Sequence, residues 1–405
     1  MATPTTLGSL STTRAAPRRQ LIATRGTFPV ALEGGTTSNT RYENHILVTT
    51  GAQDCTSLRV HYVSFRSRET EDSTLSVSPF SLQAAVVFNS QFCPVSFNGT
   101  TTTTVDAGVT LLTSNPISIY LPAFTEFMVK TGVVLASNQS FPASISATNK
   151  TVKVASTSAT SQIFQRFNVS TPSGGITTSL SLFPVMITGI PRERFPALFI
   201  WGDSLSAGTG DFTSDAEGVV GCMEKACINT YGTGKHLAFC NLSRSGDASS
   251  TYELDEAFSR FSLLEFGTHV LFSMGSNDIT GGRTAAQIKA SMQEAWTHAR
   301  ILGLSVGAMT LPPRTTSADN WSSLTQHVVT GYSSASIRGE INTWLKQQLA
   351  EGAIDFLADV NSQVADTTNP DVWKVGYTAD GTHYTPTVHN LLADYLRGLF
   401  ATFRV

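Results

Sequence analysis

The sequence predicts an all-β region followed by an α/β region built on a parallel sheet. Three observations carry this. From about residue 41 to 190 the apolar segments are short, rich in β-branched and aromatic residues, and separated by Gly, Asn, Asp and Ser clusters. After the "GIPRER" stretch, apolar strand-like segments alternate with amphipathic helical patterns, the signature of βαβ units. The length of 405 residues also exceeds one ordinary domain, and two is the natural count.

Residues 1–40 are polar, rich in Thr, Gly, Pro and Arg, and without periodicity. They read as a flexible leader, or as a strand or two ordered only by a partner. Residues 41–192 supply "HILVTT", "LRVHYVSF", "LQAAVVFN", "TLLTSNPISIYLP" and "FMVKTGVVL", at the spacing of a β-sandwich or jelly roll. No amphipathic helix and no repeat interrupts them.

Residues 193–405 open with "FPALFIWGDS", an apolar strand running into a turn. "THVLFSMGS", "LSVGAMTLPP" and "AIDFLADV" are further strands bounded by Gly or Pro. Between them, Ile288, Met292, Ala295, Trp296 and Ala299 fall on one helical face, and Ile341, Trp344, Leu345 and Leu349 on another. A last helix begins near Pro386, with a stripe of Val388, Leu391, Leu392, Tyr395 and Leu399. In a sheet of this kind the reactive residues belong at the carboxyl ends of the strands.

Composition narrows the partners. The hydrophobic share of 41% permits a large core, whereas the charged share of 14% is low against the roughly 25% typical of soluble domains. A weakly charged, Ser/Thr-rich surface suits an extracellular or virion-associated protein. The net charge of −3, without basic clusters, implies neither nucleic acid nor an anionic membrane as partner. No apolar run reaches the roughly 18 residues of a membrane span. Residues 1–40 show no secretory signal, so either a signal has been removed or the protein leaves its cell another way, for instance in a phage particle. The five cysteines lack CxxC pairing, which argues against a zinc site and a full disulfide framework. Cys222 and Cys227 are near enough to bridge if the chain bends there, and buried free thiols are an equal reading. The sequence leaves oligomerisation open.

Four short segments carry chemistry. Gly202-Asp203-Ser204-Leu205 follows a strand directly, so Ser204 would project over the sheet edge with its N–H at a helix start. Asp380-Gly381-Thr382-His383 puts a carboxylate three residues before a histidine, close enough to bind Nδ1–H while Nε2 faces a nucleophile. Gly275-Ser276-Asn277-Asp278 places the Asn277 amide at a strand end, where it can donate to a developing oxyanion. Gly246, in "NLSRSGD" after the strand "HLAFCNL", lets a backbone N–H approach a substrate closely. Each has a plain structural alternative: a capping serine, a surface turn, an Asn/Asp turn, an ordinary loop glycine.

In this order the four segments resemble the SGNH (GDSL) hydrolase family, over roughly residues 195–405. The resemblance implies a three-layer α/β/α domain. It implies Ser204 as nucleophile, His383 as general base and Asp380 as the group orienting His383. The N–H groups of Ser204 and Gly246, with the Asn277 amide, would form the oxyanion hole. Two-step acyl transfer would follow, with no metal and no organic cofactor. The remaining histidines show no ligand spacing, and Asp203 and Asp278 read as turn braces.

The segment 209–235 reads as an insertion near the site mouth, mostly small and polar, with Phe212 and Tyr231 its only aromatics. That favours a small acyl group on a polar alcohol. The expected substrate is an acylated polysaccharide, deacetylated by a serine esterase, with the β region binding sugar, forming part of the cleft or mediating assembly. A lipase-like or general carboxylesterase is the alternative for another ester. A structural or glycan-binding protein with a residual hydrolase fold is the alternative of a different class.

Overall fold

The apolar segments between 41 and 191 pair as antiparallel strands, as their short β-branched and aromatic runs predict. A computed structural model describes residues 18–34, 40–67, 72–73, 77–145, 151–155, 180–253 and 258–405. One sheet runs in the order Thr103–Val105, Phe80–Phe88, Glu126–Val134, Arg41–Thr49, Thr151–Ala155, with Gln91–Val95 turned back onto Phe80–Phe88. Val129 stands opposite both Ile46 and Val86, and all three are buried. A second sheet is ordered Gln20–Leu21, Met186–Pro191, Cys55–Tyr62, Leu112–Thr113. The Tyr62 hydroxyl meets that of Thr131 at 2.7 Å, joining the two sheets across their buried faces. The stretch 110–122 is strand only at Leu112–Thr113, with single bridges at Ile117 and Leu121. Pro116 and Pro122 supply no N–H to a ladder, which breaks the pairing.

The leader expected over 1–40 is no loose segment over its described second half. Gln20–Leu21 pairs with Met186–Pro191, and Ala31–Gly34 pairs with Ser140–Ile145. Between them Gly26–Thr27, here β1, pairs in parallel with Ala238–Asn241. Backbone pairing satisfies N–H and C=O groups whatever the side-chain pattern, so no periodicity announces strands this short. Leu21, Ile22 and Phe28 are buried alongside them.

The α/β region is a six-stranded parallel sheet. Its strands are β1, β2 (Ala197–Gly202), β3 (Ala238–Asn241), β4 (His269–Ser273), β5 (Ser305–Met309) and β6 (Phe356–Ala358), in the spatial order β1-β3-β2-β4-β5-β6. Side chains alternate across β2, so Ala197, Phe199 and Trp201 enter one core and Leu198 and Ile200 another. Short α1 (Ser204–Ala207) leaves the end of β2, α2 (Cys222–Cys227) follows, and α3 (Ser276–Thr280) leaves β4. α4 (Ala285–Ile301) and α5 (Ile337–Ala350) pack in the first core, α2 and α6 (Pro386–Phe400) in the second. This is the three-layer α/β/α arrangement. The first core runs on without a break into the β-rich region.

Helix faces follow the sequence unevenly. All five apolar positions expected on α4 are buried, and a Thr284–Gln287 capping box starts the helix. On α5 Ile341 and Leu345 are buried, but Leu349 in the last turn is exposed. On α6 the buried face is Val388, His389, Leu392, Ala393, Leu396 and Phe400, with Leu391 turned outward. The rotation follows from α2, whose Cys222 N–H donates to His389 Nδ1 at 3.1 Å and so makes burial of a polar ring favourable.

The segment 209–235 is likewise only partly a polar mouth. Val219, Met223, Ala226 and Ile228 lie in the core beneath α6, while Phe212 and Thr213 are exposed. All five cysteines are free. Cys222 and Cys227 sit five residues apart on α2, about 140° around its axis, too divergent to bridge.

Candidate active site

β2 ends in a crowded turn that explains its residues. A Cβ on Gly202 would lie 1.8 Å from Ser273 Oγ, so only glycine fits. Asp203 is extended (φ −93°, ψ −155°) and its carboxylate accepts the Leu205 N–H at 2.9 Å, capping α1. Ser204 is the first residue of α1, so its N–H has no intrahelical acceptor.

The loop before α6 brings the histidine to this serine. His383 Nε2 lies 2.9 Å from Ser204 Oγ, and His383 Nδ1 lies 2.7 Å from Asp380 Oδ2. Asp380 Oδ1 accepts the backbone N–H groups of Thr382 and His383, each at 2.8 Å. Between them Gly381 has φ +77°, and a Cβ there would lie 1.8 Å from the Thr315 carbonyl oxygen. That carbonyl strand and Trp373, whose Nε1–H donates to Gly381 O at 3.1 Å, fix the loop. Burial raises the Asp380 carboxyl, but hydrogen bonds from the His383 backbone and ring and from Thr382 outweigh it and hold the group below its ordinary value.

Gly246 and Asn277 are tied into the same place. Arg244 N–H donates to Gly202 O at 3.0 Å and Ser243 Oγ accepts the Gly202 N–H at 2.9 Å, stitching the Gly246 loop to the end of β2. Asn277 Nδ2 donates to the Asp247 carbonyl at 2.9 Å, leaving its second N–H for another acceptor. Gly246, at φ +91°, is exposed.

Beneath these groups lie three buried carboxylates that sequence reading either set down as braces or missed. Asp278 accepts from Ser249 N–H at 2.8 Å and Ser249 Oγ–H at 2.7 Å. Asp247 pairs with Arg260 at 2.6 Å, both side chains fully buried, and Arg260 also stacks 4.9 Å from the Trp201 ring. Burial raises the Asp247 carboxyl even against Arg260. Burial, with the nearby Asp247 and Asp278, pushes Asp203 up to about 7. Asp247 adjoins Gly246 in the sequence, which was the one signal available; Arg260 gave none.

Of the other histidines, His298 and His327 are exposed, and several of the rest are structural. His236 Nδ1 accepts the Asn229 N–H at 2.9 Å, and His269 stacks on Phe403 at 4.3 Å. Burial lowers His389 to about 4, so its neutral ring accepts from Cys222 and donates from Nε2 to Thr209 O at 3.2 Å.

Chemically, the arrangement is a relay. A proton can pass from Ser204 Oγ to His383 Nε2 while Asp380 holds Nδ1–H.

Residues 198–396 match the model of the GDSL-like lipase/acylhydrolase family. Among curated proteins no sequence matches the chain. Among solved structures it is similar to an acetylxylan esterase from Geobacillus stearothermophilus, at 14% identity, 52% of this chain, 95% of that one and TM-score 0.37. A GDSL-like lipase from Bacteroides thetaiotaomicron matches at 12% identity, 50% of this chain, 87% of that one and TM-score 0.37. A lipolytic G-D-S-L family protein from Veillonella parvula matches at 15% identity, 52% of this chain, 100% of that one and TM-score 0.35.

Proposed function

We propose that this chain, whose residues 198–396 are a GDSL-like lipase/acylhydrolase domain, is a serine esterase removing small acyl groups, acetyl foremost, from a carbohydrate. The observation that carries the reading is the hydrogen-bonded series Ser204 Oγ, His383 Nε2, His383 Nδ1, Asp380 Oδ2.

Ser204 Oγ attacks the acyl carbonyl carbon and its proton passes to His383 Nε2. The oxyanion accepts from the N–H groups of Ser204 and Gly246 and from the Asn277 amide. Collapse breaks the bond to the alcohol, and His383 returns the proton to the departing oxygen. Water then attacks the acyl-enzyme, again losing a proton to His383, and the acid leaves as Ser204 is restored. Asp380 stays ionised throughout and keeps His383 in the required tautomer.

The small acyl group is supported by the mostly small and polar residues of 209–218, of which Thr213 and Ala216 are exposed. A lipase-like esterase is favoured by one contrary observation, the 86% exposure of Phe212. Hydrolysis of p-nitrophenyl acetate and p-nitrophenyl palmitate by wild type and Ser204→Ala separates the readings. Preference for palmitate would sink the deacetylase, and the absence of any Ser204-dependent release would sink the serine esterase and favour a glycan-binding role.

A further inference from the structure

We infer that the alcohol part of the ester, a sugar ring, is held in a crevice that the N-terminal segment helps to build; this rests on the function proposed above. The crevice has a volume of about 620 Å³, within the roughly 300–1,000 Å³ of small-molecule sites. Three stretches far apart in sequence form it: Arg25–Phe28 beside β1, Phe183 with Ile46 from the β-rich region, and the chain following α1 with the loop that leads to Gly246.

Its position ties it to the reacting groups. Thr209, on the rim, donates its N–H to Ser204 O at 3.0 Å, and its hydroxyl meets that of Ser245 at 2.9 Å. Ser245 precedes Gly246, and a Cβ at Gly210 would lie 3.4 Å from His383 Cβ. The chain that borders the crevice is therefore the chain that carries the proposed nucleophile and two of the proposed oxyanion donors, the N–H groups of Ser204 and Gly246.

Its chemistry selects a polyol over an acyl chain. The lining holds Arg25, which donates to the Glu217 carbonyl, and Glu224, whose Oε1 accepts from Asn241 Nδ2 at 3.0 Å. It also holds the apolar Phe28, Val30 and Ile46. Arg25 and Glu224 already hold partners within the protein, and an acyl chain offers no hydrogen bond to the charged and hydroxyl-bearing residues of this lining. A sugar ring offers hydroxyls to the polar residues and its C–H face to the apolar ones. Phe212 stands exposed at the rim as a surface against which a ring can lie.

Two variants test this, Ser214→Trp, which fills the crevice from a rim position making no side-chain hydrogen bond among the described residues, and Phe212→Ala, at an exposed site. The readout is kcat/KM on xylose tetraacetate divided by kcat/KM on p-nitrophenyl acetate, with thermal melting to establish folding. The ratio is expected to fall at least about tenfold in Ser214→Trp and several-fold in Phe212→Ala. An unchanged ratio in folded Ser214→Trp overturns the crevice and leaves the esterase standing. Absence of Ser204-dependent release from both probes overturns instead the esterase on which the crevice rests. Cleavage of p-nitrophenyl acetate alone by the wild type overturns the sugar as the bound alcohol.

Discussion

Asp380 holds His383 twice: Oδ2 lies 2.7 Å from the ring Nδ1, and Oδ1 accepts the backbone N–H of the same residue at 2.8 Å. One carboxylate thus sets both the loop and the ring. Asp380→Asn would keep the Oδ1 acceptor but turn an amide N–H toward Nδ1, forcing the wrong tautomer. Its kcat on p-nitrophenyl acetate should fall about 10²–10⁴-fold. The melting temperature should change little; a large drop would make Asp380 a structural residue only.

Ser204→Ala and His383→Ala should lose turnover about equally, and the double variant should lose little more, because the 2.9 Å pair acts as one unit. Single and double variants assayed on the same acetate ester decide this. Additive losses would separate the two residues.

Asn277→Ala should lower kcat by about 10²–10³ with little change in KM, since the donated bond forms mainly in the transition state. A change confined to KM would move the amide, now fixed by its 2.9 Å bond to the Asp247 carbonyl, from oxyanion to ground-state binding.

The buried Asp247–Arg260 pair braces the loop that carries Gly246. Arg260→Met would leave the buried carboxylate only its longer 3.4 Å contact to Arg244, at a cost of up to about 3–5 kcal/mol. Denaturant unfolding of the variant against wild type measures it. Unaltered stability would show that the loop opens and hydrates Asp247.

Burial lifts Asp203 from its ordinary 3.8 to about 7. Between those values the folded chain keeps a proton that the unfolded chain has lost, so stability falls as pH rises through that window. Asp203→Asn cannot titrate and retains an oxygen for the Leu205 N–H. Its melting temperature relative to wild type should therefore climb from about pH 4 to about pH 7. A constant difference across this range would refute the elevated carboxyl.

Much of the fold was legible because its causes are local. The apolar runs "LQAAVVFN", "ALFIW" and "HVLFS" and the spacing of Ile288, Met292 and Ala299 report strand and helix directly. In the site, the strand-to-turn context of Ser204 and the three-residue step from Asp380 to His383 were visible for the same reason. The Asp247–Arg260 brace was not, because its members join only when the loop after β3 folds back against a short helix at Phe258–Phe261.

By itself the sequence determined the two classes of secondary structure, their order along the chain, and the residue types capable of acyl transfer. Only the tertiary structure decided that Gly26–Thr27 extends the parallel sheet, that α6 turns His389 inward, and that Arg25 faces Glu217 across 192 residues of sequence. Pairings so short and so distant leave no periodicity, and they exist only because packing elsewhere has already brought their backbones within hydrogen-bond reach.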